Sequence, residues 1–179
     1  MKPSEITPLT TIRVFELMEE VGFPKGVINL VLSSGEEIGD TLSGHEEVDL
    51  VSFTGGIETG KHIMKNAANH VTNIALELGG KNPNIIFDDA DFEVAVDQAL
   101  NGGYFHAGQV CSAGSRILVH NDIKADFEKA LIDRVGKIKL GNGFDDDTEM
   151  GPVISTEHRN KIEGYMEIAK EEGATIAIG

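Results

Sequence analysis

The chain has 179 residues, of which 40% are hydrophobic and 25% are charged, a composition typical of a globular protein with a real core. Thirty acidic against fifteen basic side chains give a net charge of -15, which repels phosphate backbones and anionic lipid heads. No apolar run approaches the roughly 20 residues that span a bilayer, and residues 1–8 lack the apolar stretch of a secretory signal. We therefore expect a soluble, cytoplasmic protein with neither nucleic-acid nor membrane partners.

The first part of the chain alternates helical and strand patterns. Thr7 and Pro8 predict a helix that has Thr7 as its cap and ends at Gly22. The β-branched and aliphatic run 27–32 predicts a strand covered on both faces. The next expected elements are a short helix at 36–42, a strand at 48–53, a helix at 58–69 and a strand at 71–78.

The same alternation continues in the second part of the chain. Its expected elements are a strand at 84–87, a helix at 91–107 capped by Asp91, a strand at 116–120, a helix at 122–140, a loop at 141–153, a helix from a Ser155 cap to about Glu172, and a strand at 174–178. This order predicts an α/β fold with parallel sheet in βαβ units. Glycines and a proline interrupt the pattern at 79–83, so we divide the chain into lobes 1–80 and 81–179. A strand that finishes on the last residue predicts a sheet lacking strands at either side.

The glycine-rich segment Phe53–Gly60 lies between a predicted strand and a predicted helix. Backbone N–H groups and the positive end of a helix dipole at such a position can hold a pyrophosphate. The segment matches neither the G-x-G-x-x-G fingerprint nor a P-loop, so a plain tight turn remains the alternative.

Glu77 is a carboxylate at the end of an otherwise apolar predicted strand. Sites form at the carboxyl ends of strands in open α/β sheets. Partial desolvation there would make Glu77 a competent base near neutral pH, and the alternative is an edge carboxylate turned to solvent.

Cys111 is the single cysteine, and it stands among small residues in the segment 108–114. Backbone N–H groups after a helix would activate a thiol and bind an oxyanion, whereas the alternative is a buried, inert filler. A pairing with His106 is disfavoured because a spacing of five residues places the two on different helical faces. One cysteine excludes a thiolate metal cage, and the acidic run 145–149 lacks calcium-loop spacing, so no metal site is expected.

Five segments together strongly resemble the aldehyde dehydrogenase superfamily, in the order that the family has them. They are Lys2–Glu5, Phe53–Gly56, Glu77–Lys81, Gly108–Cys111 and Gly151–Pro152. Cys111 follows Glu77 by 34 positions, which also fits the family. The resemblance covers the whole chain and implies part of a Rossmann-like cofactor domain followed by part of the catalytic domain. In detail, the sequence is most similar to bacterial members of the family that oxidise betaine aldehyde, so betaine aldehyde is the expected small-molecule substrate.

The resemblance implies catalytic roles for two residues. Cys111 would attack the aldehyde carbonyl, and its own backbone N–H would hold part of the charge on the thiohemiacetal oxygen. After hydride transfer to the cofactor, Glu77 would activate the water that cleaves the thioester.

The resemblance also implies a cofactor site. Lys2 and Glu5 match positions that contact the adenosine ribose, where a carboxylate favours NAD over NADP. Gly55 and Gly56 match the turn beside the pyrophosphate, although the family often has serine at the second position. Gly79 would lie near the nicotinamide.

The chain departs from the family in what it lacks, since family members are well over twice as long. Missing are the asparagine that completes the oxyanion hole, the glutamate-phenylalanine motif that holds the nicotinamide ribose, and the strands that join subunits. Three hypotheses follow: an NAD-dependent aldehyde dehydrogenase or a piece of one, able to form homo-oligomers; an inactive fragment that docks on a full-length homologue through unpaired sheet edges; and a cysteine hydrolase. Glu77 and Cys111 favour the first over the third.

Overall fold

The computed structural model describes residues 1–179 and divides the chain into two compact units, Met1–Leu78 and Gly79–Gly179. Each unit contains one pair of parallel strands together with helices. The expected α/β class with parallel strands is therefore confirmed, as two small sheets. The division falls two residues before the predicted seam. No helix in the structure is both long and apolar enough to cross a membrane.

The first unit consists of three helices and two strands. Its elements are α1 (Leu9–Glu20), α2 (Gly35–Gly44), β1 (Leu50–Gly55), α3 (Ile57–Ala67) and β2 (Asn73–Leu78). β1 and β2 pair in parallel, from Leu50 opposite Asn73 to Gly55 opposite Leu78. α3 connects them and turns Gly60, Ile63 and Ala67 inward, at the spacing of one helical face. A side chain at residue 60 would contact Leu78 of β2, so glycine there lets α3 approach the sheet closely.

α2 begins and packs through local polar contacts. Ser34 Oγ accepts a hydrogen bond from the Glu37 N–H, and the Glu37 carboxylate accepts one from the Ser34 N–H, which forms a capping box. At the other end Asn66 of α3 donates to Asp40 Oδ1 at 2.8 Å and to Ser43 Oγ at 3.2 Å. The two helices are therefore joined by hydrogen bonds rather than by an extensive apolar face.

The second unit contains the better-packed core. Its elements are β3 (Pro83–Ile86), α4 (Phe92–Tyr104), β4 (Arg116–Val119), α5 (Lys124–Val135) and α6 (Thr156–Glu171). β3 and β4 are parallel, with Pro83 opposite Arg116. Ile86, Val96, Ala99 and Phe127 form a buried cluster, and the Phe127 ring meets the Phe92 ring edge-on at 6.0 Å.

Polar contacts define helix starts and join helices in this unit. Asp91 accepts a hydrogen bond from the Val94 N–H, and Ser155 accepts one from the His158 N–H, so both predicted caps are confirmed. Arg134 of α5 forms ion pairs with Glu93 and Asp97 of α4.

Two predicted strands are absent from both sheets. Segment 27–32 has only two backbone hydrogen bonds to the first residue, through Asn29 O and the Val31 N–H. Segment 174–178 has no strand neighbour and lies instead against α5, where Ile178 approaches Gly136. An apolar, β-branched run forms a strand only beside a partner that completes its ladder of hydrogen bonds.

Several helix boundaries also differ from the predictions. α1 has Pro8 rather than Thr7 at its cap position, with no side-chain hydrogen bond there. α4 ends at Tyr104 because a left-handed turn follows it, and α5 ends at Val135 rather than at 140.

Candidate active site

Lys2 and Glu5 lie together near the start of the first unit. The Lys2 ammonium donates to the carbonyl oxygens of Pro3 and Ser33, both at 2.9 Å, and lies 3.5 Å from the Glu5 carboxylate. Lys2 is largely covered, whereas the Glu5 side chain is 54% exposed. The lysine therefore fixes the first residues to the segment before α2, and the carboxylate stays open to a hydrogen-bond donor from outside the chain.

Gly55 and Gly56, here called the glycine turn, connect β1 to α3. A Cβ on Gly55 would contact the ring of Phe53, so any side chain at this position would force that ring to move. A Cβ on Gly56 would meet nothing within 4 Å, and α3 has no side-chain cap. The first N–H groups of this eleven-residue helix are therefore accessible over open space, an arrangement that suits a phosphate group.

Glu77 lies at the carboxyl end of β2, opposite Thr54 of β1. Because Gly55 is opposite Leu78, Glu77 and the glycine turn share one edge of the first sheet. Burial alternates along β2 and leaves Glu77 on its exposed face. The predicted partial desolvation is wrong in this respect, since a two-stranded sheet covers the strand on one side only. The carboxylate is therefore in contact with solvent and is not enclosed by its own unit.

Cys111 lies in a turn formed by Val110–Ala113, here called the cysteine turn. The Ala113 N–H donates to Val110 O at 3.0 Å, which places Cys111 and Ser112 at the two central positions. The thiol is exposed, so the alternative of a buried filler is wrong. The side-chain amide of Asn82 donates to Cys111 O at 3.0 Å and to Ala113 O at 3.4 Å.

A left-handed turn, His106–Gly108, precedes the cysteine turn. His106 and Ala107 have φ values of 51° and 57°, and Gly108 has a φ of 73°. Each non-glycine residue in this region costs roughly 1–2 kcal/mol, so surrounding contacts must maintain the turn. One of them is the hydrogen bond from the Gly114 N–H to Gly102 O, at 3.0 Å, which returns the loop to α4. The predicted helix to residue 107 missed this turn.

Other features of the second unit surround the loop without including the thiol. A cavity of about 570 Å³ is lined by residues of the left-handed turn and by 149–152, but not by Cys111. Asp88, His120 and Asp122 have ligand atoms within 4.8 Å of one another, and all three are exposed. Exposed groups of this kind are common without a metal, so we assign none here.

The predicted site residues therefore fall into both units. Lys2 with Glu5, and the glycine turn with Glu77, belong to the first unit. Gly79 begins the second unit, which also holds Cys111, and a Cβ on neighbouring Gly80 would lie 3.9 Å from Cys111 O. The sequence analysis did not identify Asn82, although this residue directly follows the motif at 77–81.

Comparison with known proteins defines the class. A family model described as "Aldehyde dehydrogenase family" matches residues 1–179, and the chain belongs to that family. Betaine aldehyde dehydrogenase of Bacillus subtilis (strain 168) is 65% identical over 179 residues, which are 100% of this chain and 36% of the relative. The chain thus spans little more than a third of that relative's length.

Solved structures agree with the sequence comparison. Betaine aldehyde dehydrogenase from Staphylococcus aureus in complex with NAD+ is 87% identical, with a TM-score of 0.97, and the match covers 100% of this chain and 36% of that one. A point mutant of the same enzyme, with the same identity, TM-score and coverage, is in complex with NAD+ and has a BME-modified cysteine.

Proposed function

We propose that this chain supplies the nucleophile and the general base of an NAD-dependent aldehyde dehydrogenase that converts betaine aldehyde into the corresponding carboxylate. The observation that carries the proposal is the exposed thiol of Cys111 in a hydrogen-bonded turn. Two findings support it. The chain is 87% identical to an enzyme with a cysteine that BME modifies, and Cys111 is the only cysteine of this chain.

Cys111 acts in the first half of the proposed reaction. Its thiolate sulfur bonds to the carbonyl carbon, and the carbonyl electron pair moves onto oxygen as the thiohemiacetal forms. The backbone N–H of Cys111 donates no hydrogen bond within the chain and is therefore available to this oxyanion. Oxidation of the thiohemiacetal leaves a thioester on Cys111.

Glu77 acts in the second half. Its carboxylate takes a proton from water as the water oxygen attacks the thioester carbon. The carbon-sulfur bond then breaks, which releases the carboxylic acid and regenerates the thiolate. Glu77 is exposed within its unit, so water can reach the carboxylate, as a base that activates water requires.

Residues between positions 1 and 80 fit the family's cofactor. Glu5 would accept hydrogen bonds from ribose hydroxyls, and its charge would repel a 2′-phosphate, so NAD is preferred over NADP. The glycine turn would place the N-terminal N–H groups of α3 beside a pyrophosphate. A Cβ on Gly79 would meet nothing within 4 Å, so this position would leave room for a flat ring. When bound, NAD supplies the hydride acceptor. We accordingly interpret 1–80 as part of the cofactor domain and 81–179 as part of the catalytic domain.

A chimera tests this function. The matching third of the Bacillus subtilis relative is replaced by this chain, and NADH formation is followed with betaine aldehyde and NAD. We expect turnover on the order of 10 s⁻¹, lost in the Cys111→Ala chimera. A chimera that folds and binds NAD but shows no cysteine-dependent turnover would contradict the proposal.

An assay of the isolated chain tests whether these residues are active without the rest of the enzyme. We expect little or no turnover from its 179 residues, because loss of one oxyanion donor alone costs about 10² to 10³ in rate. If the chain instead co-elutes with the full-length Bacillus relative and never supports turnover in the chimera, the non-catalytic partner hypothesis replaces the enzyme.

A further inference from the structure

We propose that Asn82 is a positioning residue for the nucleophile: its side-chain amide fixes the Cys111–Ser112 peptide so that the Ser112 N–H becomes a second donor for negative charge at Cys111. This proposal rests on the proposed role of Cys111 as the nucleophile. It adds to the proposed site a residue that is neither the nucleophile nor the base.

Asn82 is itself held rigidly. Its backbone carbonyl accepts a hydrogen bond from the Arg116 N–H at 3.1 Å, directly before the first β3–β4 pair of residues. The side chain then reaches the cysteine turn, which lies 29 to 31 positions further along the chain. A side chain anchored on a sheet holds its partner more accurately than one on a mobile loop.

The amide of Asn82 contacts two carbonyl oxygens of the same turn, Cys111 O at 3.0 Å and Ala113 O at 3.4 Å. Two carbonyl dipoles that converge on one point repel each other unless a donor lies between them. A neutral NH₂ group offers two N–H donors and meets this requirement. A carboxylate of the same shape would add negative charge against both oxygens.

Peptide planarity converts these contacts into donor directions. In a trans peptide the C=O and the following N–H point to opposite sides. Val110 O is bound by the Ala113 N–H, which turns the Cys111 N–H outward. Cys111 O is bound by Asn82, which turns the Ser112 N–H away from Asn82. Neither the Cys111 nor the Ser112 N–H donates within the chain, so both remain free for an anion.

The test is the alkylation rate of Cys111 by iodoacetamide from pH 6 to 10, in the folded full chain and in urea. Cys111 is the only thiol, so the signal has no background. The variants are Asn82→Asp and Asn82→Ala, because either one alone could disturb folding. The matched control is Asn84→Asp, which introduces the same charge two residues away on β3, at a side chain that does not make the hydrogen bonds to Cys111 O and Ala113 O.

We expect the folded chain to react faster than glutathione at the acidic end of the profile. Both Asn82 variants should react about tenfold more slowly there, with Asn82→Asp the slower, since its carboxylate also adds negative charge beside the thiolate. Asn84→Asp should match the unsubstituted chain, and all variants should react alike in urea, because a difference in urea would not arise from the folded turn.

The outcomes separate the two proposals. If the folded chain reacts no faster than glutathione at any pH, the nucleophile role fails and the Asn82 proposal fails with it. If the folded chain is fast and both Asn82 variants are equally fast, Asn82 does not position the turn, whereas the nucleophile role stands. Equal slowing by Asn84→Asp would assign the effect to charge or general destabilisation and would also overturn the positioning role.

Discussion

The two units use the same plan, a parallel strand pair with a connecting helix, but they support their proposed site residues differently. In the second unit Val96 and Phe127 are fully buried within one apolar cluster. In the first unit the buried side chains are Ser43, Ile63 and Ala67, and α2 meets α3 through hydrogen bonds. The cysteine turn therefore belongs to the unit with the larger apolar cluster, whereas Glu77 belongs to the unit with fewer buried side chains.

The turns next to the proposed site residues also differ, because the one in the second unit is more constrained. The glycine turn has ordinary backbone angles at Gly56 and open space around it. The segment 106–114 around Cys111 holds three residues in the left-handed region, and hydrogen bonds join its Gly114 to α4 and its Cys111 to Asn82. An open turn suits the binding of a mobile ligand, whereas a constrained one suits the positioning of a reactive atom.

The largest expected effect is on the packed core. Phe127→Ala should destabilise the second unit by about 3–5 kcal/mol, because it removes an aromatic ring from the cluster. Ile63→Ala should cost the first unit about 2 kcal/mol, near the lower limit for such a change. Amide hydrogen exchange reports each unit separately. Phe144→Ala, at a 96% exposed position, is the control and should change neither. If Ile63→Ala destabilises its unit as much as Phe127→Ala does, the two units do not differ in how strongly their cores are packed.

Two smaller effects on stability, of opposite sign, are expected from glycine substitutions in and near the left-handed turn. Gly108→Ala should lower stability by about 1–2 kcal/mol, since φ is positive and the new Cβ would lie 3.1 Å from Gly103 O. Gly102→Ala, in α4 with nothing within 4 Å, should raise stability by about 0.5–1 kcal/mol. Urea denaturation of the two variants measures both changes, and a neutral Gly108→Ala would mean that the turn is not constrained.

The smallest effect concerns the polar contact between α2 and α3. Hydrogen bonds from His62, at 2.5 Å, and from Asn66 hold the pKa of the Asp40 carboxyl below its usual range. A lowered folded pKa means stability that is present above about pH 4 and is lost as the pH falls through the folded value. The thermal midpoint should therefore fall less steeply between pH 5 and pH 3, as approximate limits, in Asp40→Asn than in the unsubstituted chain. Parallel curves would exclude a contribution from this contact.

The sequence predicted features that depend on neighbouring residues. Asp91 and Ser155 were identified as caps because the capped N–H lies three residues away. The parallel strands around 50–55 and 83–86 were found because short apolar runs bounded by turn residues mark them.

Features that depend on distant residues were missed. Run 27–32 looks like a strand, but a strand requires a neighbour. The left-handed turn depends on the contact between Gly114 and Gly102, and the role of Asn82 depends on carbonyls 29 and 31 positions ahead. The exposure of Glu77 follows from how many strands flank β2, which its own residues do not encode.

The most direct test of the account is a pre-steady-state measurement on the chimera carrying Glu77→Gln. Because Cys111 is assigned to the first half of the reaction and Glu77 to the second, rapid mixing with betaine aldehyde and NAD should give a burst of NADH close to one per active site. The steady rate that follows should be slow or absent, and Cys111→Ala should abolish both phases. Equal loss of the burst and the steady rate in Glu77→Gln would contradict the assignment of Glu77 as the base of thioester hydrolysis.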